Sequence, residues 1–127
     1  MSETAVPDGN KLVFELKNGK VVIELRPDLA PLAVERLKLL ASEGFYDGVK
    51  FHRVIEGFMA QGGDPTGTGT SGSNYPDLKA EFTDKAKFER GTLGMARTMA
   101  PHSANSQFFI MFQDVPSLNG QYTIAGK

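Results

Sequence analysis

Apolar and polar positions change rhythm several times along this chain. Leu12-Val13-Phe14-Glu15-Leu16 and Val21-Val22-Ile23-Glu24-Leu25 flank Lys17-Asn18-Gly19-Lys20. Two strand-like runs around an Asn-Gly pair predict a β-hairpin, because both turn residues tolerate positive φ. The period then lengthens. Ala33, Val34, Leu37, Leu40 and Ala41 recur at helical spacing, with Glu35, Arg36 and Lys38 between them. Pro27-Asp28-Leu29-Ala30-Pro31 opens this helix, with Pro31 near its first position, and Gly44 closes it. Such a helix can cover one mouth of a sheet or barrel.

Short strands are predicted over residues 51–55, 58–62, 91–96, 107–112 and 121–124. Residues 64–78, dominated by Gly, Thr, Ser, Asn and Pro, read as a long surface loop. Many short strands with one clear helix point to an all-β sandwich or barrel with a helical cap. There is no internal repeat. Residues 1–10 read as a mobile polar tail and residues 11–127 as one domain.

Strand parity turns this outline into a candidate surface, since alternate side chains face opposite ways. Phe51, Arg53 and Ile55 share one face, and His52 and Val54 the other. Met59 and Gln61 share a face, as do Gln107, Phe109 and Met111; Phe108, Ile110 and Phe112 make the opposite, core face. If Arg53, Met59, Gln61, Gln107 and Phe109 meet, a fixed cation stands beside an apolar hollow. Phe58 has the wrong parity for that surface unless Gly57 bends the strand entry.

Composition narrows the classes. The 127 residues are 40% apolar and 23% charged, which suits one soluble globular domain. A net charge of −1 gives no footprint for nucleic acid or an anionic membrane surface. The absence of cysteine removes disulfide and thiolate chemistry and fits a reducing compartment. The polar start is no secretory signal, and no apolar run is long enough to span a bilayer. Two distant histidines without cysteine make a transition-metal site unlike this chain: His52 faces away from Arg53 and reads as a core histidine, and His102 as a solvated loop residue. Gly67-Thr68-Gly69-Thr70-Ser71-Gly72 fits GxGxxG, yet Ser73-Asn74-Tyr75-Pro76 follows instead of a helix, and no βαβ unit surrounds it. A nucleotide-using enzyme would rest on that loop alone. Ser71, Ser103 and Ser106 lack a histidine–acid arrangement for nucleophilic catalysis.

Phe51-His52-Arg53, Gly57-Phe58-Met59-Ala60-Gln61-Gly62-Gly63-Asp64, Gly94-Met95-Ala96, Ser106-Gln107-Phe108-Phe109-Ile110 and Leu118-Asn119-Gly120 together resemble the cyclophilins, a family of peptidyl-prolyl cis-trans isomerases. The resemblance runs from Leu12 to Lys127, and the Tyr46-Asp47-Gly48 approach is similar to bacterial members. It implies a mainly β fold, a closed antiparallel eight-stranded barrel capped by helices, with a substrate groove on its outer surface. By position, Arg53 resembles the catalytic arginine; Phe58, Met59, Phe109 and Leu118 resemble the proline pocket. Gln61 and Gln107 resemble polar groups around the substrate backbone, Ala96 and Arg97 a backbone docking edge, and Gly67 a glycine lining the groove. Tyr122 stands where many members carry histidine, and can present an edge and a hydroxyl. Arg97 replaces a frequent asparagine, so its backbone role is what carries over.

Ser117 stands where the family often has a tryptophan that contacts cyclosporin, which implies weakened affinity for cyclosporin-type ligands. Family members continue well past the Gly126-Lys127 point, through a second helix and the closing strand, so both are expected to be absent here. Either the chain is a fragment or the rest lies elsewhere. The implied activity is cofactor-free rotation about Xaa-Pro bonds in unfolded or flexible proteins, by a cytoplasmic monomer. The alternative is a module that binds proline peptides with little or no turnover.

Overall fold

The computed structural model describes residues 3–5, 11–16, 19–49, 51–69 and 71–127. Its strands are β1 (Glu3–Ala5), β2 (Lys11–Leu16), β3 (Gly19–Glu24), β4 (Arg53–Ile55), β5 (Met59–Gly62), β6 (Leu93–Met95), β7 (Phe108–Met111) and β8 (Ile124–Gly126). One α-helix, α1 (Pro31–Ser42), and a 3₁₀ turn at Pro116–Leu118 complete the regular elements among the described residues. Within the segment read as a polar tail, Glu3–Ala5 pairs antiparallel with β2; the rest of residues 1–10 lies outside the described residues. β2 and β3 form the expected hairpin, but Leu16 pairs with Gly19. Gly19 therefore starts β3 rather than sitting in the turn. Lys17 and Asn18 lie outside the described residues.

The strands form two antiparallel sheets, ordered β1-β2-β3 and β4-β5-β7-β6-β8. They meet at one seam. Leu25 bridges to Gly126, the Arg26 N–H donates to the Ala125 carbonyl at 2.7 Å, and the Lys127 N–H donates to the Glu24 carbonyl at 3.0 Å. A Cβ at Gly126 would run into the Glu24 carbonyl, so the close approach of the two backbones requires glycine there. No pairing joins β4 to β1 among the described residues, so the two sheets are not closed into a barrel.

The main core lies between the sheets and under α1. Leu12, Phe14, Ile23 and Leu25 point into it from the hairpin, and Ala33, Val34, Leu37, Leu40 and Ala41 from the helix, as the two periodicities require. Phe108 is its hub, 5.2 Å from the Phe14 ring and edge-on to Tyr46 at 5.5 Å. The buried Tyr46 hydroxyl donates to the Ser106 carbonyl at 2.8 Å. Burial pushes that hydroxyl's pKa up against the opposing field of Arg36, so it stays a neutral donor.

Pro31 begins α1 as expected, but Ala30 offers no capping side chain. The orphan amides of Leu32 and Ala33 instead donate to the Glu81 carboxylate at 3.1 and 2.9 Å. At the far end, the Phe45 N–H donates to the Leu40 carbonyl and the Gly44 N–H to the Ala41 carbonyl, with Gly44 at φ +73°. This is a Schellman closure, and it needs the left-handed conformation that glycine allows.

Two expected positions move. β7 ends at Met111, and Phe112 is 40% exposed rather than core, although its N–H still donates to the Phe58 carbonyl in register with the β5–β7 ladder. The last strand starts at Ile124, not Gln121, because the Gln121 N–H turns back to the Leu118 carbonyl. Substituting Glu81→Ala is expected to cost about 1 kcal/mol, as loss of a helix cap does. Urea unfolding measures this, and an unchanged midpoint would show that the carboxylate adds nothing to α1.

Candidate active site

The site grows from the β4–β5 hairpin. Gly57, at φ +71°, turns the chain, and the Phe58 N–H donates to the Ile55 carbonyl at 3.0 Å. Register then sets the neighbours. Arg53 pairs with Gln61, Gln61 with Phe109, and Met59 with Met111. All these side chains fall on the face opposite Phe108. Met59, Phe109 and Met111 are buried there in a second cluster with Phe88 and Ile124.

Above this cluster opens a hollow of about 260 Å³, lined by Arg53, Phe58, Met59, Gln61, Ala96, Arg97, Phe109, Leu118 and Tyr122. The guanidinium of Arg53 thus shares a cavity with the Phe109 ring. Phe58 joins it because the Gly57 turn bends the strand entry. Phe109 is stacked on Phe88 at 5.5 Å with 20° between the rings, and Tyr122 sets its edge to both. Gly94 makes room for this stack: a Cβ would lie 2.6 Å from Phe88 and 2.7 Å from Phe109. Phe88 has no sequence signal of its own, since it belongs to no strand and reaches the site through long-range packing.

Arg97 holds the rim. Its guanidinium carbon lies 4.9 Å from the Tyr122 ring centroid and 5.7 Å from that of Phe82. Its Nε donates to the Gln121 carbonyl at 2.8 Å and an Nη to Thr98 at 2.8 Å. The side chain therefore has a structural task of its own. The backbone N–H of Ala96 donates to the Gln107 carbonyl at 3.0 Å.

Gln107 lies outside the apolar hollow. It lines an adjoining polar cavity of about 740 Å³, which also touches Gln61, Ala96 and Arg97. The two glutamines are joined: Gln61 Nε2 donates to Gln107 Oε1 at 2.9 Å, and Gln107 Nε2 donates to the Ser71 carbonyl at 2.8 Å. Gly67 lines neither cavity. It sits in the loop after β5, where its N–H donates to the Asp64 carbonyl at 3.0 Å.

That loop is built around Asp64, which is fully buried. One carboxylate oxygen accepts from the Thr66 amide at 2.8 Å and hydroxyl at 2.7 Å; the other accepts from the Gly69 amide at 2.6 Å and the Ser71 amide at 3.1 Å. Burial alone would raise the pKa of this carboxyl. The hydrogen bonds from Thr66, Ser71 and Gly69 outweigh burial and hold it well below the usual carboxylate range. His52 packs beside the loop, its Nδ1 buried with no hydrogen-bond partner among the described residues. His102 Nδ1 accepts from the Ala80 amide at 3.0 Å, and the Ser106 hydroxyl donates to the Gly63 carbonyl at 2.7 Å. Among the described residues no three His, Cys, Asp or Glu side chains gather as metal ligands. No described helix is long and apolar enough to cross a membrane.

A family model described as cyclophilin type peptidyl-prolyl cis-trans isomerase/CLD matches residues 11–127. The chain belongs to the cyclophilin-type isomerases. It is 56% identical over 135 aligned positions to a probable peptidyl-prolyl cis-trans isomerase of Brucella suis, covering 98% of this chain and 68% of that protein. It is 46% identical to peptidyl-prolyl cis-trans isomerase B of Bacillus subtilis, covering 94% of this chain and 77% of that protein. Among solved structures, a cyclophilin of Cryptosporidium parvum, determined in the presence of the dipeptide Ala-Pro, superposes with a TM-score of 0.88 at 36% identity. That match covers 92% of this chain and 77% of the Cryptosporidium chain. The mainly β architecture is thus a cyclophilin fold.

Two outcomes follow from this geometry. Because the Asp64 carboxyl has a lower pKa folded than unfolded, its stabilisation is complete above the unfolded value of about 3.9 and is lost as pH falls towards the folded one. Acid titration of wild-type protein against Asp64→Asn is expected to show a flatter acid limb for the variant. Gly94→Ala is expected to separate Phe88 from Phe109 and cost roughly 1–3 kcal/mol, as overpacking does. Thermal melting and the ring-current shifts of Tyr122 report it, and unchanged shifts would show that the stack yields without cost.

Proposed function

We propose that this cyclophilin rotates Xaa-Pro bonds in unfolded or flexible protein segments, with Arg53 as the catalytic donor. One observation carries the reading: Arg53 lines the same small hollow as Phe58, Met59, Phe109 and Leu118. A proline ring suits that hollow in size and polarity, and the Ala-Pro dipeptide used with the Cryptosporidium relative supports the same ligand class.

The peptide C–N bond resists rotation by ~18–20 kcal/mol because of resonance. Midway through the turn, conjugation is lost and the proline nitrogen gains a lone pair. A donor aimed at that nitrogen favours the twisted state over both planar ones, which is what catalysis requires. The Arg53 guanidinium, charged at any working pH, is that donor. A charge-assisted hydrogen bond contributes roughly 1.5–3 kcal/mol, one to two powers of ten in rate. The hollow adds to it. Phe109, Met59 and Phe58 hold the ring while the preceding carbonyl swings, Leu118 and Tyr122 close the rim, and water that would favour the planar dipole is displaced. Gln61 and Gln107 hold the substrate backbone, and Ala96 and Arg97 form its docking edge; Gly67 borders it at a distance. No general acid or base is required.

Absence of cysteine supports a cytoplasmic site of action, and Ser117 supports weak binding of cyclosporin-type ligands. We take the working form to be a monomer. The seam between the sheets at Leu25 and Gly126 and the wholly antiparallel pairing support an eight-stranded barrel as the architecture. The alternative of a proline-binding module without turnover is disfavoured by the arginine in the hollow.

Arg53→Ala is expected to slow exchange of a short prolyl peptide more than about tenfold, with peptide affinity within about twofold of wild type. Magnetisation-transfer NMR measures both, and equal exchange rates would remove the role given to Arg53. The rate is expected to stay flat from about pH 6 to 9; a bell centred near the histidine range would implicate His52 or His102 instead.

A further inference from the structure

The hollow contains no described residue of the loop after β5, yet the polar side of the site hangs from that loop. The connection can be followed bond by bond. The buried Asp64 carboxylate gathers the amides of Thr66, Gly69 and Ser71. This anchors the backbone at Ser71 through its N–H, and the Ser71 carbonyl, on the following peptide unit, accepts from Gln107 Nε2. That bond decides which way the Gln107 amide faces, so its Oε1 is presented to Gln61 Nε2. Gln61 is the cross-strand partner of Arg53. Three hydrogen bonds thus join a fully buried anion to the cross-strand neighbour of the catalytic cation.

We infer that Asp64 is a positioning residue for isomerisation, acting through Ser71 to orient Gln107 and Gln61 beside Arg53. The inference rests on the reading of Arg53 and its hollow given above. Asp64 touches no substrate. What it supplies is one fixed orientation for two amide side chains that would otherwise flip and wander, so their ordering is complete before the peptide arrives. Only an anion can do this here. Both oxygens face N–H or O–H donors, so the amide of an asparagine, turned either way, would set its own NH₂ against backbone N–H groups. The loop's sequence agrees with the task. Gly67 and Gly69 take positive φ of +71° and +86°, which lets the chain curl until successive amides converge on one carboxylate.

The test is a double-mutant cycle on prolyl-peptide exchange, with peptide affinity measured alongside. Asp64→Asn is expected to lower kcat about tenfold while affinity for a short proline peptide stays within about twofold, since the loop does not line the hollow. Gln107→Ala is expected to lose a similar factor. The double variant is expected to be no slower than Gln107→Ala alone, because Asp64 has nothing left to orient. Multiplying losses in the double variant, or wild-type kcat in Asp64→Asn, would overturn the inference. Thr66→Val removes a single exposed hydroxyl donor to the same carboxylate, and its smaller loss is expected to vanish equally in the Gln107→Ala background. This second cycle decides if Asp64→Asn fails to fold, with additive losses again overturning the inference. Arg53→Ala run in parallel separates the two levels. Full activity in that variant defeats the reading of the site itself; loss there with an additive cycle defeats only the role of Asp64.

Discussion

Strand β7 sends two adjacent phenylalanines to opposite sides of one sheet, and the rest of the molecule is arranged around that alternation. Phe108 is the hub of the main core, packed by Phe14, Phe51 and Tyr46. Phe109 forms the floor of the hollow, stacked on Phe88. The period of two is a property of extended backbone and cannot be relaxed locally. A shift of one residue in register would exchange the two rings and destroy core and site together. The site is therefore stiff for the same reason that the fold is stable: its floor is the reverse of the core.

On that floor the cation stands in the open. Arg53 is solvent-exposed on an edge strand. Keeping it hydrated in the unliganded protein avoids the desolvation cost that a buried charge carries. In the proposed reaction its field would strengthen as a peptide covers it and displaces water. Everything around it is ordered by contrast. Arg97 clamps Tyr122, Gly94 admits the ring stack, and the Asp64 loop holds the glutamines. No histidine lines the hollow; both histidines occupy other surroundings. His52 lies against the glycine loop and His102 accepts a backbone bond.

Features governed by local periodicity were legible in the chain. Parity placed Arg53, Met59, Gln61 and Phe109 together, and helical spacing defined α1 almost to its ends. What escaped depends on contacts distant in sequence. Glu81 caps a helix some fifty residues earlier, and no local pattern marks it. Phe88 reaches the ring under the hollow, Phe109, from an irregular segment. Asp64 looks like one more polar residue at the head of a loop, and only folding buries it under converging amides. Gln107 has the right parity but lies just before β7, where its side chain turns towards Ser71 and the polar cavity. Phe112 has core parity but lies past the last residue of β7, where parity alone no longer secures burial.

The central claim is geometric: a planar donor fork beside an apolar floor favours an amide in mid-rotation over either flat form. Arg53→Lys tests it most directly, because lysine keeps the charge and loses the rigid fork. Two-dimensional exchange NMR on a single proline peptide reads the catalysed rate and the affinity in one sample. The expected result is near-native binding with exchange slowed about tenfold or more. A lysine variant that binds equally and exchanges at the wild-type rate would contradict it, since charge alone would then suffice.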